Sequence, residues 1–102
     1  MKRPVTWSRA ALDNVKEQVR HIAKDRPAAA RLVADRIEEA GKVLGEMATG
    51  RPGRVTGTYE KPVPRLPLII AYELREAAGL ETVVILRIIH KSRDWPAEEW
   101  PD

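Results

Sequence analysis

The chain contains no cysteine and no phenylalanine, and aromatic residues make up only 5% of its 102 residues. Without cysteine, neither a disulfide nor a thiolate metal site can form, which fits a reducing compartment. The core must therefore be built from valine, leucine, isoleucine and alanine. The longest apolar stretch is well short of a membrane span, so we expect a cytoplasmic protein that makes no membrane contact.

Length and charge set further limits. A chain of this size can build one hydrophobic core, so we predict a single domain over residues 1–102. Residues 51–93 carry eight Lys or Arg against four Asp or Glu, whereas the charged residues of the tail 94–102 are all acidic. A basic region followed by an acidic tail favours a surface that meets phosphate or an acidic protein. A solvated basic face is an equal alternative.

Two segments have the spacing of amphipathic helices. Ser8 and Pro27 are suited to begin them. Gly41 and Gly45 indicate close packing in the second segment, because each otherwise costs about 1 kcal/mol relative to alanine. The pattern predicts a helical hairpin over about residues 8–48, with apolar stripes formed by Leu12, Val15, Val19, Ile22 and Ala23 and by Ala29, Val33, Ile37, Ala40, Leu44 and Met47.

Strand signals precede and follow this hairpin. Residues 4–7 predict a first strand, and from Arg54 the period changes to two, with Val55, Gly57 and Tyr59 alternating with polar residues. Residues 68–75 and 82–91 predict two more strands, the last of them covered on both faces. The order β-α-α-β-β-β predicts an α+β fold, in which the hairpin packs on a mostly antiparallel sheet over about residues 54–91.

The last strand carries an unusual cation. Regular alternation places His90 on one face and Arg87 and Lys91 on the other, together with Val83, Ile85 and Ile89. A charge in an apolar strand needs a carboxylate partner or an open surface. Arg87 therefore either pairs with Glu60 or Glu73 of a neighbouring strand, or is exposed on an uncovered face to bind a ligand phosphate.

The strand ends in a cluster of basic and aromatic residues. His90 suits either general acid–base catalysis or, as we favour, a structural hydrogen bond to a carbonyl. Trp95 suits either stacking on a base or, again favoured, anchoring of the C-terminal segment. The candidate catalytic residues are Arg87, His90 and Arg93. The candidate target- or nucleic-acid-binding residues are Arg54, Lys61, Arg65, Arg87, Lys91 and Arg93.

Several common functional signatures are missing. The Gly50 to Gly53 segment is not followed by Gly-Lys-Ser/Thr, so it is not a phosphate loop. Neither histidine has a carboxylate pair at metal-ligand spacing, and neither serine has a nucleophile-elbow context. We therefore expect no cofactor and no metal, and any catalysis must use arginine, lysine, tyrosine or histidine.

Four segments in order along the chain carry a family resemblance. TWSRAALDNVKEQVRHIAKDRPAAARLVADRIEEA begins at residue 6, GRPGRVTGTYEKPV at 50, LIIAYEL at 68 and VVILRIIHKSRDWP at 83. Together they resemble the RelE/ParE toxin superfamily of type II toxin–antitoxin modules over nearly the whole chain. The resemblance implies the same α+β fold and a growth inhibitor held inactive by a cognate antitoxin in a hetero-oligomer. Such antitoxins wrap the toxin with a helix or strand from a disordered segment.

The family divides by mechanism. Its RelE-like members are ribosome-dependent mRNA endoribonucleases that use lysines and arginines to stabilise phosphate charge, whereas its ParE-like members poison DNA gyrase. The ribonuclease pattern's basic pair on the second strand falls near Glu60 and Pro62, and its third-strand arginine falls near Ile69. Arg93 has a basic counterpart. The resemblance therefore favours the ParE-like, plasmid-stabilisation branch.

Two alternatives to a gyrase inhibitor stay open. One is the RelE-like endoribonuclease. The other is a non-catalytic RNA-binding module, in which Arg54, Arg87 and Arg93 contact phosphates and affinity falls steeply with added salt.

Overall fold

The α+β architecture predicted from the sequence is confirmed. A computed structural model describes residues 2–91, except for the side chain of Ala77, so Arg93, Trp95 and the acidic tail lie outside the described residues. Residues 2–91 form two helices and five strands: β1 (Val5–Trp7), α1 (Arg9–Ala23), α2 (Pro27–Glu46), β2 (Arg51–Pro52), β3 (Tyr59–Pro62), β4 (Leu68–Ala77) and β5 (Leu80–His90). The two-residue strand β2 is an addition to the predicted order. No helix within the described range is long and apolar enough to cross a membrane.

The helical hairpin begins and packs as the sequence predicts. Ser8 caps α1 by accepting a hydrogen bond from the backbone N–H of Ala11, and Pro27 lies in the first turn of α2. A Cβ on Gly41 would lie 2.6 Å from Cζ2 of Trp7, and one on Gly45 would lie 2.9 Å from a backbone carbonyl oxygen. These glycines let α2 approach strand β1 closely.

Two residues assigned to the buried stripes are exposed. Met47 is 62% exposed because α2 ends at Glu46 and Met47 is extended, so the helical period no longer directs its side chain to the core. Leu12 is 43% exposed, and the neighbouring Ala11 is the fully buried residue of that turn.

The strands form one mixed sheet in the order β1-β5-β4-β3-β2. Strand β1 runs parallel to β5, and the other neighbouring pairs are antiparallel. Strands β4 and β5 are joined by Ala78 and Gly79, which have φ angles of 53° and 77°. Two positive φ angles in a two-residue loop match the twist of a β-hairpin. Both strands therefore extend further into this turn than the sequence predicts.

The helices cover one face of the sheet. Alternate residues of β4 and β5 meet the two helices there, and the buried members of this core include Val33, Ile37, Leu44, Leu68, Ile70, Tyr72, Val83, Ile85 and Ile88. A smaller cluster on the opposite face contains buried Ala71 and Ile89, with Val55 and Ile69 packed against them. We call this second face the outer face.

The predicted side-chain directions in β5 are wrong in part, because the strand contains a β-bulge. Tyr72 pairs with Ile85 and Ala71 pairs with Arg87, so Leu86 is an extra residue between them. The bulge shifts the alternation by one position. Ile88 therefore lies in the helix-facing core with Ile85, and Arg87 lies on the outer face, opposite to Ile85.

Strand β1 pairs with only part of β5. The N-cap residue Ser8 and a side chain of α1 bind backbone groups of β5 that follow this paired part. The Ser8 hydroxyl donates to the carbonyl oxygen of Leu86 at 2.8 Å, and the side-chain oxygen of Asn14 accepts from the N–H of Ile88 at 3.0 Å. Because unpaired backbone groups in a part-buried edge are costly, these bonds support β5 around its bulge.

The predicted strand from Arg54 to Glu60 is mostly a loop. Strand β3 begins only at Tyr59, and Gly57 has a φ of 86°. The N–H of Thr58 donates to the carbonyl of Val55, and so does its hydroxyl. This local turn replaces the ladder hydrogen bonds of an alternating strand, and it folds Val55 onto the outer face.

Candidate functional site

One group of predicted site residues lies on the outer face. Glu60, Ala71 and Arg87 are opposite one another on three neighbouring strands. Residues directly opposite in adjacent strands project from the same face, so Glu60 and Arg87 flank the small side chain of Ala71. Arg54 reaches this row from the preceding loop, and its Nε donates to Glu60 Oε2 at 2.9 Å.

The Arg54–Glu60 pair is a fixed element of this face. The backbone N–H of Arg54 also donates to Glu60 Oε2, at 2.8 Å. Burial alone would raise the pKa of the Glu60 carboxyl, but the hydrogen bonds and charge of Arg54, with the charge of Arg51, hold that pKa below its usual value. Much of the positive charge of Arg54 is therefore compensated within the protein.

The carboxylates considered as partners for Arg87 each hold another arginine. Glu60 binds Arg54, and Glu73 contacts Arg75 within β4. Arg87 is half-buried on the outer face, beside Ala71. Arg87 lies on the face that no described helix covers, and both of its predicted roles stay predictions.

His90 does not lie beside Arg87. It pairs with Leu68, whose side chain is in the helix-facing core, so His90 projects from the opposite face of the sheet. Lys91 is exposed, and its backbone N–H donates to the carbonyl of Pro67. The candidate catalytic residues Arg87 and His90 are thus separated by the sheet.

Lys61 and Arg65 belong to a different surface. Lys61 pairs with Ile70 of the helix-facing core, and Arg65 lies in the loop between β3 and β4. Both line a groove of about 390 Å³ between α2 and this edge of the sheet, which we call the α2–β3 groove. Its other lining residues are Arg36, Glu39, Ala40, Val43, Leu44, Pro62 and Pro64.

The sequence interpretation missed the helical wall of this groove. Arg36 and Val43 are seven residues apart, about two helical turns, so they lie on one side of α2 at the edge of the predicted stripe that contains Ala40 and Leu44. That spacing could have indicated a second partly apolar face of α2. The partner across the groove could not be found in this way, because it comes from a loop about twenty residues later in the chain.

A tyrosine pair anchors the loop behind the groove. Tyr72 is fully buried and stacks on Tyr59, with ring centroids 5.5 Å apart. The Tyr72 hydroxyl accepts a hydrogen bond from the N–H of Gly50 at 2.8 Å, and Lys61 Nζ donates to the hydroxyl of Thr49 at 2.9 Å. These contacts fix the segment that leads from α2 into β2.

We predict that Tyr72→Phe lowers the free energy of unfolding by about 1–2 kcal/mol, because the N–H of Gly50 loses its acceptor. Burial raises the pKa of Tyr72, against the lowering effect of the Gly50 hydrogen bond. The folded protein thus holds the phenol proton more tightly than the unfolded chain does. The contribution of the protonated Tyr72 side chain to the free energy of unfolding is complete below the pKa of about 10 that tyrosine has in the unfolded chain. It is lost as the pH rises through the higher pKa of Tyr72 in the folded protein.

Urea unfolding of Tyr72→Phe and wild type at neutral pH and above pH 10 measures both effects. The difference in the free energy of unfolding between wild type and Tyr72→Phe should become smaller at high pH. Tyr59→Phe is the matched control, because it keeps the Gly50 contact. A difference in the free energy of unfolding that grows with pH would contradict the raised pKa of Tyr72 in the folded protein.

The described residues contain no group of three or more histidine or acidic side chains that could hold a metal ion.

Comparison with known proteins identifies the family. Residues 5–95 match the model of the ParE toxin of the type II toxin–antitoxin system parDE. A curated relative from Sinorhizobium fredii, described as "Putative toxin Y4kP", is 35% identical over 96 residues, which cover 93% of this chain and 95% of the relative. The fold is that of RelE/ParE toxins. The chain belongs to the ParE toxin family of type II toxin–antitoxin systems.

Solved structures agree on the fold. A chain of the chromosomal ParDE toxin–antitoxin system of P. aeruginosa is 24% identical and superposes with a TM-score of 0.78, over 87% of this chain and 96% of that chain. The RelBE2 toxin–antitoxin complex of Mycobacterium tuberculosis, also 24% identical, gives 0.57 over 88% and 99% of the two chains. A YoeB/ParE toxin from Agrobacterium tumefaciens, 11% identical, gives 0.58 over 85% and 97%.

Proposed function

We propose that this toxin inhibits growth by poisoning DNA gyrase and that a cognate antitoxin neutralises it in a hetero-oligomer. The match of residues 5–95 to the ParE toxin model carries the proposal. The solved ParDE and RelBE2 structures named above support an antitoxin as the partner class, because the first is of a toxin–antitoxin system and the second is a toxin–antitoxin complex.

The outer face supports this choice of target. The basic residues of the ribonuclease branch fall near Glu60, Pro62 and Ile69 of this chain, which are an acid, a proline and an isoleucine. Pro62 pairs directly with Ile69, so both belong to one apolar strip of that face. A site that cleaves RNA must stabilise phosphate charge, and losing one such donor typically costs about 10²–10³ in rate.

The position of His90 supports the same conclusion. A general acid or base must come within hydrogen-bond reach of the proton that it transfers. Arg87 and His90 project from opposite faces of the sheet, so they do not converge on one scissile phosphate. A poison that binds a target protein without hydrolysis needs no such convergence.

The test compares the two targets with the same protein preparation. Purified toxin incubated with gyrase and supercoiled plasmid should trap cleaved DNA, and induced cells should filament and signal DNA damage. Translating ribosomes treated in parallel should keep their mRNA intact. The toxin bound to its antitoxin is the control and should be inactive in the gyrase assay. Cleavage of mRNA within codons, with gyrase unaffected, would contradict the proposed target.

A further inference from the structure

We infer that Glu60 is a positioning residue of the outer face: its carboxylate holds the loop of residues 53–58, so that Val55 and Arg87 form one preformed contact surface for the target. Residues 53–58 are called the 53–58 loop below. This role of Glu60 rests on the proposed function and takes the outer face as the surface that meets the target. It also makes Arg54 a residue that holds the loop, in place of a direct phosphate contact.

The Glu60 carboxylate holds Arg54 more firmly than an ordinary surface ion pair would. Besides the two hydrogen bonds to Oε2 described above, a terminal nitrogen of the Arg54 guanidinium donates to Oε1 at 3.3 Å. The side chains of Arg54 and Glu60 are 29% and 17% exposed, whereas those of the Lys42–Glu38 pair on α2 are 68% and 67% exposed. A part-buried pair is screened less by solvent, so this contact can fix the geometry of the loop.

The 53–58 loop is closed by its own hydrogen bonds and packs on Glu60. The N–H of Gly53 donates to the carbonyl of Thr58 at 2.8 Å, and the N–H and hydroxyl of Thr58 donate to the carbonyl of Val55 at 3.1 and 2.6 Å. A Cβ on Gly53 would lie 2.5 Å from Oγ1 of Thr58 and 3.3 Å from the Glu60 side chain. Glu60 therefore touches the first residue of the loop and binds the second.

The loop in turn places an apolar side chain beside Arg87. Val55 directly follows Arg54 in the chain and packs against the buried Ala71 and Ile89. Ala71 is opposite Arg87 on the neighbouring strand, so Val55 and Arg87 border the same small residue. Because the N–H bound by Glu60 is only one residue away from Val55, losing that bond would let Val55 leave the outer face.

Charge separates positioning from direct binding. On a surface that meets phosphate or an acidic protein, a carboxylate repels the target, so removing it should strengthen binding by electrostatics alone. If the carboxylate holds the loop, its removal should weaken binding instead, because the target must then order the loop at a cost in conformational entropy. The two roles of Glu60 thus predict effects of opposite sign.

Glu60→Ala should raise the toxin concentration that gives half-maximal trapping of gyrase-cleaved DNA by about tenfold, with maximal trapping unchanged. Arg54→Ala should raise it about three- to tenfold, since the backbone N–H stays bonded. Combining the two changes should be no worse than Glu60→Ala, because both break the same contact. Glu60→Gln keeps an oxygen that can accept from the Arg54 N–H, so its loss should be about threefold. Circular dichroism should give the same helix content for all four variants.

Hydrogen exchange measures the position of the loop without any target. The amide of Arg54 is bound to Glu60 Oε2 in the unmodified toxin. In Glu60→Ala this amide should exchange about tenfold faster, while the amides of α2 should exchange as before. A general loss of stability would instead accelerate exchange at α2 as well.

Glu38→Ala is the matched control. It removes the same negative charge from an exposed pair with Lys42 on α2, on the other side of the sheet from the outer face. This variant should trap cleaved DNA at the same concentration as the unmodified toxin and should keep its slow Arg54 amide exchange. A loss in Glu38→Ala equal to that in Glu60→Ala would assign the effect to net charge and overturn the positioning role.

Stronger trapping by Glu60→Ala, together with weaker trapping by Arg54→Ala, would assign Arg54 to direct phosphate contact and overturn the positioning role. Unchanged trapping despite faster exchange at Arg54 would overturn it too, because the loop would then move without any effect on the target. If the unmodified toxin arrests growth but does not trap gyrase, the proposed target is wrong. The inducer concentrations at which the same variants arrest growth then decide the role of Glu60 separately.

Discussion

Cells that produce the Arg87→Ala, Arg93→Ala double variant should keep growing under induction that arrests cells producing the unmodified toxin. Arg87 is a half-buried cation on the outer face, which no described helix covers. An arginine fork binds carboxylate or phosphate with two parallel hydrogen bonds, which alanine cannot replace. Colony counts under induction should recover by roughly tenfold or more, because truncating one partner of a close charged contact typically costs about 2 kcal/mol or more of binding free energy.

This prediction holds for either target, because gyrase-bound DNA and ribosome-bound mRNA both present phosphate. Arg75→Ala is the matched control. Arg75 is an exposed arginine of β4 that pairs with Thr82, at the end of the sheet next to the hairpin turn. It should leave growth arrest unchanged.

Antitoxin binding provides the folding check for the double variant. We expect the tagged antitoxin still to retain the variant. If the double variant arrests growth as strongly as the unmodified chain, Arg87 and Arg93 are not part of the target surface. If it is neither toxic nor retained, the two changes have disturbed the fold, and Arg87→Lys then tests the charge alone.

The parts of this fold that follow local rules could be predicted from the sequence. The cap at Ser8, the proline at the start of α2 and the period of the helices each depend on contacts a few residues apart. The close approach of Gly41 and Gly45 to β1 could be anticipated too, since glycine within a helix is costly without a packing reason.

The sequence predictions are wrong where contacts between distant parts of the chain determine the local structure. The bulge at Leu86 depends on how β5 pairs with β4 and on the Ser8 hydroxyl, 78 residues away in sequence. Regular alternation cannot reveal it, so Arg87 was assigned to the face of Ile85. Similarly, an alternating pattern suggested a strand around Gly57, where the hydrogen bonds of Thr58 make a turn.

The candidate site residues lie on separate surfaces, and tertiary contacts again determine which residues come together. Lys61 and Arg87 are both candidate binding residues in the sequence, yet they lie on opposite faces of the sheet. Only the tertiary structure brings Arg65 to the helix that carries Arg36.

Leu44→Ala should reduce the free energy of unfolding by about 2–5 kcal/mol, a large share of the 5–15 kcal/mol typical of a small domain. Leu44 is fully buried in the helix-facing core, so its removal costs transfer free energy and leaves a cavity. Urea unfolding should give a lower midpoint with an unchanged slope, because the area exposed on unfolding hardly changes.

Leu32→Ala is the matched control, since it makes the same change on the same helix at a position that is 50% exposed. Its cost should stay below about 1 kcal/mol. Equal costs for the two leucines would contradict the packing of α2 on the sheet, because only that packing distinguishes their environments.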